Sequence, residues 1–243
     1  MLAQVLACAE RGARNRPQPD AVSITQASEY GTVYDRDELA AIRACARAAG
    51  IRFHMDGARF ANALATSGCT AAETTWRSGV DILSFGATKN GGMGAEAVVV
   101  FDSELVEPLF YRLRRAGQTW SKMRFAAAQL MAYVEDGLFV RLAAHANALA
   151  AQLGRGLAAL PGAHLIAPVQ ANLVFVAMPE AAIKSLAAAG IRFARRAGNV
   201  IRLVTRFDGT EAEVDQLIAL ARQALPLPEA ISSRSGTPPC RPG

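Results

Sequence analysis

No stretch of the 243 residues keeps to the roughly 20 uninterrupted apolar positions that a spanning helix needs, which argues against a helical membrane protein. The opening, MLAQVLACAERGARN, lacks the charged-then-apolar order of a secretory signal. Cysteine is scarce. Cys8, Cys45, Cys69 and Cys240 stand far apart, with no CxxC pair and no histidine at ligand spacing. That pattern offers neither a disulfide framework nor a zinc site, and no metal is expected; free thiols in a reducing compartment are the reading it supports. No internal repeat is present. Together these absences lead us to expect a cytoplasmic protein with no membrane partner.

Charge of one sign is also thin. The net charge of +5 comes from arginines and lysines spread along the chain among small apolar residues, with no binding-module signature beside them. A nucleic-acid partner is therefore not expected. An anionic small substrate and a phosphate-bearing cofactor would use only two or three such groups.

About half of the residues are apolar, enough for one sizeable core or two modest ones. Strand signals at 22–25, 51–56, 81–86 and 96–101 alternate with helical ones. Asp35 with Glu38, and Thr70 with Glu73, have the spacing of capping boxes, predicting helices from 35 towards Gly50 and over 70–78; another helix is expected near 58–66. DILSFG and EAVVVF are nearly all apolar, as in strands buried on both faces of a parallel or mixed sheet. The expected class is α/β. Helical patterns dominate 103–160. Beyond Pro161-Gly162, strands at 172–178, 191–194 and 200–205 and helices at 180–189 and 210–224 describe a small α+β unit. The tail from Pro226 is rich in Pro, Ser and Gly, a composition expected to be disordered. Only four strand candidates precede the long helices, too few for an apolar sheet without an unpaired edge, so the first domain looks incomplete at its N-terminus.

Two residues carry the strongest chemistry. Lys89 follows a strand directly, in a loop containing Gly86, Ala87, Thr88, Gly91, Gly92 and Gly94. Small residues let a planar ligand approach the backbone, and desolvation frees a lysine amine for Schiff-base formation. An ordinary solvent-facing lysine fits the same local pattern. Asp56 ends a strand just before Gly57 and a helix, where ligand sites of open α/β sheets gather. A carboxylate there would keep a pyridine nitrogen protonated, as pyridoxal 5′-phosphate (PLP) requires; a helix N-cap is the alternative. His54, two residues earlier, shares the face of Asp56 and could hydrogen-bond it; a catalytic base is the alternative.

HMDGAR (54–59), followed by a lysine in SFGATKNG, resembles the threonine aldolase family, in the beta-eliminating lyase group of fold type I PLP-dependent enzymes. SITQASEYGTVYDRDEL (23–39), RRAGQTWSKMR (114–124) and NVIRLVTRFDGTEAEVDQL (199–217) resemble family segments too. The resemblance runs over about 20–224 and is closest to the bacterial low-specificity branch.

It implies a PLP-binding large domain over 1–138, an aspartate aminotransferase-like α/β unit that is N-terminally truncated, then a small C-terminal α+β domain over 139–228 and a disordered tail over 229–243. It implies aldol cleavage of L-threonine or L-allo-threonine, and of β-hydroxy-α-amino acids generally, to glycine and an aldehyde. Lys89 would form the Schiff base and Asp56 would pair with the pyridinium. Arg59 and Arg202 would hold the substrate carboxylate, for which the planar arginine fork suits. Arg124 matches an arginine near the substrate or a neighbouring subunit. Gln26 stands where the family has an amide residue near the cofactor, and a strand-end glutamine with no such role is the alternative. A homodimer or homotetramer is implied.

The sequence departs from the family in one respect. The N-terminal region that supplies a glycine-containing phosphate turn and a ring-stacking side chain has no counterpart, and GTVYDRDEL offers no substitute cradle. Thr88 is the remaining candidate to touch the phosphate. A related PLP-dependent lyase and a non-catalytic remnant therefore stand as alternative readings.

Overall fold

The structure, a computed structural model, describes residues 12–16 and 18–225 together with Gln4 and Leu6. Cys8, Cys240 and the tail 229–243 lie outside the described residues. From Ala21 onward the chain forms β1 (Ala21–Thr25), α1 (Arg36–Ala48), β2 (Arg52–Gly57), α2 (Phe60–Ser67), α3 (Ala71–Thr74), β3 (Ile82–Gly86) and β4 (Glu96–Val100). Three helices follow: α4 (Val106–Arg115), α5 (Arg124–Val134) and α6 (Leu138–Ala158). The remainder is β5 (His164–Leu165), β6 (Leu173–Ala177), α7 (Glu180–Ala188), β7 (Ala194–Arg195), β8 (Val200–Val204) and α8 (Glu211–Ala224).

Local chemistry explains most boundaries. Asp35 accepts the Glu38 amide at 2.8 Å while Glu38 accepts the Asp35 amide at 2.9 Å, the reciprocal cap that starts α1. Thr70 and Glu73 do the same for α3. The helix expected over 70–78 nevertheless ends at Thr74. The Thr74 and Thr75 hydroxyls donate back to the carbonyls of Thr70 and Ala71, and Thr75 leaves helical geometry (φ −123, ψ −106). Adjacent β-branched residues that bond their own backbone favour such a break, and a short 3₁₀ turn continues at Trp76–Ser78.

The first sheet runs β1-β2-β3-β4, with β1, β2 and β3 parallel and β4 antiparallel to β3. Register puts Ile24, Met55 and Leu83 on one face, where Phe53 joins them against Leu39 of α1 and Phe60 and Leu64 of α2. Each such side chain contributes about 1.5–3 kcal/mol by leaving water. Ser23, His54, Asp56 and Ser84 share the opposite face, which is only partly covered, and Val98 of β4 is 42% exposed. The expectation that β3 and β4 are buried on both faces is thus corrected. Leu83 is buried on the packed face, whereas Val98 of the other face is left open by the described residues.

The second sheet is antiparallel in the order β5-β6-β8-β7. Val174, Val176, Ile201 and Leu203 turn inward against Leu149, Leu153 and Leu157 of α6 and against α7 and α8. On the other face, the Tyr30 ring packs 5.0 Å from that of Phe175, and Gly31 sits against Leu173. The strand expected at 191–194 shrinks to Ala194–Arg195. The 138/139 boundary falls at the first residue of α6. This one helix lends Phe139 and Val140 to the first core and its later leucines to the second.

Candidate active site

The C-terminal ends of β2 and β3 lie side by side, with Asp56 opposite Ser84. Asp56 and the loop bearing Lys89 therefore emerge at the same sheet edge. Gly86 permits this closeness, because a Cβ there would stand 2.8 Å from the Ala58 Cα. Gly91, at φ +106, likewise faces Leu142 and Phe207. At these two positions the small residues make room for the protein's own chain, not for a planar ligand as expected.

Lys89 sits in a 3₁₀ turn, Thr88–Asn90, and is exposed rather than desolvated. It makes no hydrogen bond or ion pair among the described residues, so its amine is available. Neighbouring Asn90 is buried and pins the turn by donating to the Tyr133 hydroxyl and the Phe139 carbonyl, both at 2.8 Å. Burial pushes the Tyr133 phenol above its ordinary pKa, which keeps it a neutral acceptor.

Asp56 spends one carboxylate oxygen on the Ala58 amide at 2.9 Å. Its other oxygen has no partner among the described residues. It is not the N-cap of α2, a position held by Arg59. His54 does not reach Asp56. Its Nδ1 lies 2.7 Å from Ser23 Oγ and its Nε2 3.0 Å from Ser84 Oγ, so both ring nitrogens are occupied across the sheet. Ser84 offers the better-placed partner because it stands on the neighbouring strand, whereas Asp56 is a full pleat away along the same one.

Gln26 is tied to its own chain. It is 1% exposed, and its amide braces the backbone of Tyr34, accepting from the nitrogen at 3.1 Å and donating to the carbonyl at 3.0 Å. Both ends of the side chain are consumed in holding a loop. Thr88 is committed too: its hydroxyl donates to Glu96, and its amide does so at 3.2 Å. A carboxylate stands where a phosphate contact was expected. Arg124 begins α5, exposed, with its guanidinium 4.9 Å from the Phe125 ring centroid, and the structure does not bring it to Asp56 or Lys89.

Arg59 and Arg202 do come together. Arg59 follows β2, whereas Arg202 lies on β8, on the face opposite Ile201 and Leu203. Burial depresses the Arg59 pKa, and the nearby positive charge of Arg202 depresses it further, while Glu29 acts in the opposite sense. Arg202 Nε is buried without a hydrogen-bond partner among the described residues. An unsatisfied buried donor costs about 1–3 kcal/mol, and two like charges add to the strain, so the pair is built for an anion. Asn172 accepts from Arg59 Nε at 3.0 Å. Glu29 and Asn172 carried no sequence signal; both meet Arg59 only through tertiary folding. A groove of about 1120 Å³ lies elsewhere, along α1, where Arg36 and Arg43 already pair with Glu73 and Asp81.

A half-buried arginine pair, a strand-end carboxylate and an unpaired lysine thus stand together on an α/β scaffold. The beta-eliminating lyase family matches residues 2–181, and the chain belongs to that family. It is 46% identical over 210 residues to a low specificity L-threonine aldolase of Pseudomonas sp. (strain NCIMB 10558), covering 86% of this chain and 61% of that protein. With the enzyme of the same description from Pseudomonas aeruginosa it shares 49% identity over 177 residues, 73% of this chain and 51% of the relative. The chain thus spans only part of these curated relatives. Among solved structures, threonine aldolase of Leishmania major superposes with a TM-score of 0.84 at 26% identity, over 93% of this chain and 67% of that one. The fold is that of the fold type I PLP-dependent enzymes, as the sequence resemblance implied.

Proposed function

We propose that this chain takes part in PLP-dependent cleavage of L-threonine, L-allo-threonine and related β-hydroxy-α-amino acids to glycine and an aldehyde. One observation carries the reading: Arg202 Nε is buried and unpartnered beside half-buried Arg59. Such a pair suits a carboxylate held in the plane of an arginine fork. The names of the relatives add the substrate class.

When bound, the cofactor supplies an electron-accepting ring joined to the amino-acid nitrogen, which stabilises charge left at Cα. Lys89 would contribute the amine that anchors it, and the free oxygen of Asp56 would hold the proton on the ring nitrogen. Arg59 and Arg202 fix the carboxylate. Held there, the carboxylate would orient the substrate so that cleavage falls on the Cα–Cβ bond rather than on Cα–H. Gln26 supports the site from beneath by fixing the Tyr34 loop. His54 orders β1, β2 and β3 around Asp56 through Ser23 and Ser84. For Thr88, a phosphate contact requires release from Glu96, so the phosphate end of the cofactor is the least supported by the described residues.

Arg124 suits the site of a neighbouring copy better than its own. Exposed Phe110, Tyr111, Trp120 and Phe125 on and between α4 and α5 support a covered face, and with it a homodimer or homotetramer. Within that assembly, 1–138 would serve as the cofactor domain and 139–228 as the small domain that brings Arg202. Free Cys45 and Cys69 fit a cytoplasmic setting.

The test is to add PLP, reduce with borohydride and map the labelled peptide, alongside aldehyde release from L-threonine. The expected label is on Lys89, and Lys89→Ala is expected to abolish both label and turnover. Aldehyde release retained by Lys89→Ala would overturn the proposal, as would an unaltered protein that takes up no cofactor.

A further inference from the structure

We propose that Asn172 is the positioning residue that joins the two carboxylate-binding arginines into one preformed clamp. This rests on the carboxylate role given above to Arg59 and Arg202. Asn172 is 4% exposed and lies at the entry to β6. Its amide oxygen accepts from Arg59 Nε at 3.0 Å, and its amide nitrogen donates to the Thr205 carbonyl at 2.8 Å. The Thr205 amide returns a bond to the Asn172 carbonyl at 3.1 Å, and the Thr205 hydroxyl donates to Ala146 of α6 at 2.7 Å.

Thr205 closes the strand that carries Arg202. One side chain therefore holds Arg59, from the first unit, to the strand bearing Arg202, in the second. Holding Arg59 at Nε also leaves its two terminal amino groups without a hydrogen bond among the described residues. Those are the groups that grip a carboxylate in the bidentate fork.

The chemistry requires an amide. Both contacts are needed at once, one to a donor and one to an acceptor, and only a carboxamide of this length offers both without charge. An aspartate would keep the Arg59 contact, but it would face the Thr205 carbonyl with a lone pair and cancel a positive charge of the clamp. Alanine would release the guanidinium to explore several rotamers, and ordering it again would then count against the ligand.

The experiment titrates the unaltered chain with N-acetylglycine, a carboxylate that cannot form a Schiff base, and with N-methylacetamide, which has no carboxylate. Binding is followed by NMR of the arginine Nε–H signals, so neither cofactor nor turnover enters the readout. Asn172→Ala is expected to weaken N-acetylglycine binding about tenfold, the size of one hydrogen bond to a charged group. Asn172→Asp should weaken it at least as much, with the shape of the side chain preserved. Ile183→Val is the structural control. It trims a buried side chain of the second core that takes no part in the clamp's hydrogen bonds, so it should lower thermal stability and leave binding unchanged.

Three outcomes would overturn the inference. If the unaltered protein does not prefer N-acetylglycine, the carboxylate reading fails and the clamp falls with it. If it does prefer it and both Asn172 variants bind equally well, the arginines form the site without Asn172. If Ile183→Val weakens binding as much as Asn172→Ala does, Asn172 acts only through the stability of the fold.

Discussion

The two sheets of this chain solve the same problem to different degrees. In the second, Leu173, Val174, Phe175 and Val176 of β6 are all at most 3% exposed, because α6, α7 and α8 cover one face and the Tyr30 turn covers the other. In the first, Phe53 and Met55 are fully buried on one face, while His54 and Asp56 on the other remain half-open. The second sheet is closed over β6, and Arg202 of β8 is its contribution to the site. The first is a core with a working surface, and Asp56 sits on that surface.

Mass gives the coarsest test of this contrast. Cover for the open unit from a second copy predicts a light-scattering mass at least twice the 25.7 kDa of one chain; a stable monomer would instead mean that the exposed aromatics of α4 and α5 do not support assembly. Stability sharpens it further. Leu39→Ala in the first core and Leu157→Ala in the second both remove a side chain with no exposure, and each should cost about 3 kcal/mol in denaturant unfolding. A loss below about 1 kcal/mol at Leu39 alone would show that the first core is loosely packed even on its covered face. The smallest effect has the opposite sign. Arg202→Gln removes a buried donor without a partner and a charge that repels Arg59. It should raise the melting stability of the unliganded protein by about 1 kcal/mol while abolishing carboxylate binding. Destabilisation instead would mean that Arg202 is satisfied in solution and has no vacancy for a substrate.

What could be read from the sequence follows how local the physics is. The caps at Asp35 and Thr70 and the strands around Asp56 depend on neighbours within a turn or on a period of two, and they were legible. The early end of α3 depends on hydroxyl-to-carbonyl bonds of Thr74 and Thr75, which compete with the helix only once its first turn exists. Lys89, Asp56, Arg59 and Arg202 stand out as a set in the sequence because their motifs resemble a family, and the structure brings Arg59 beside Arg202. The partners of His54, Gln26 and Thr88 were not. Each is fixed by another strand or loop, and a polar side chain takes whichever partner is nearest in space. Asn172 meets Arg59 across more than a hundred residues of chain, and nothing in ANLVFVAM marks that contact in advance.

α6 is a single helix of 21 residues with Phe139 and Val140 in one core and Leu149, Leu153 and Leu157 in the other. At 1.5 Å per residue it is a beam about 30 Å long. Melting its first turns strips the lining from the first core, and melting its last turns strips it from the second. The two units cannot lose their structure one at a time without leaving a half-helix with nothing to lean on. The chain should therefore come apart as one cooperative body, in a single transition, although it has two cores.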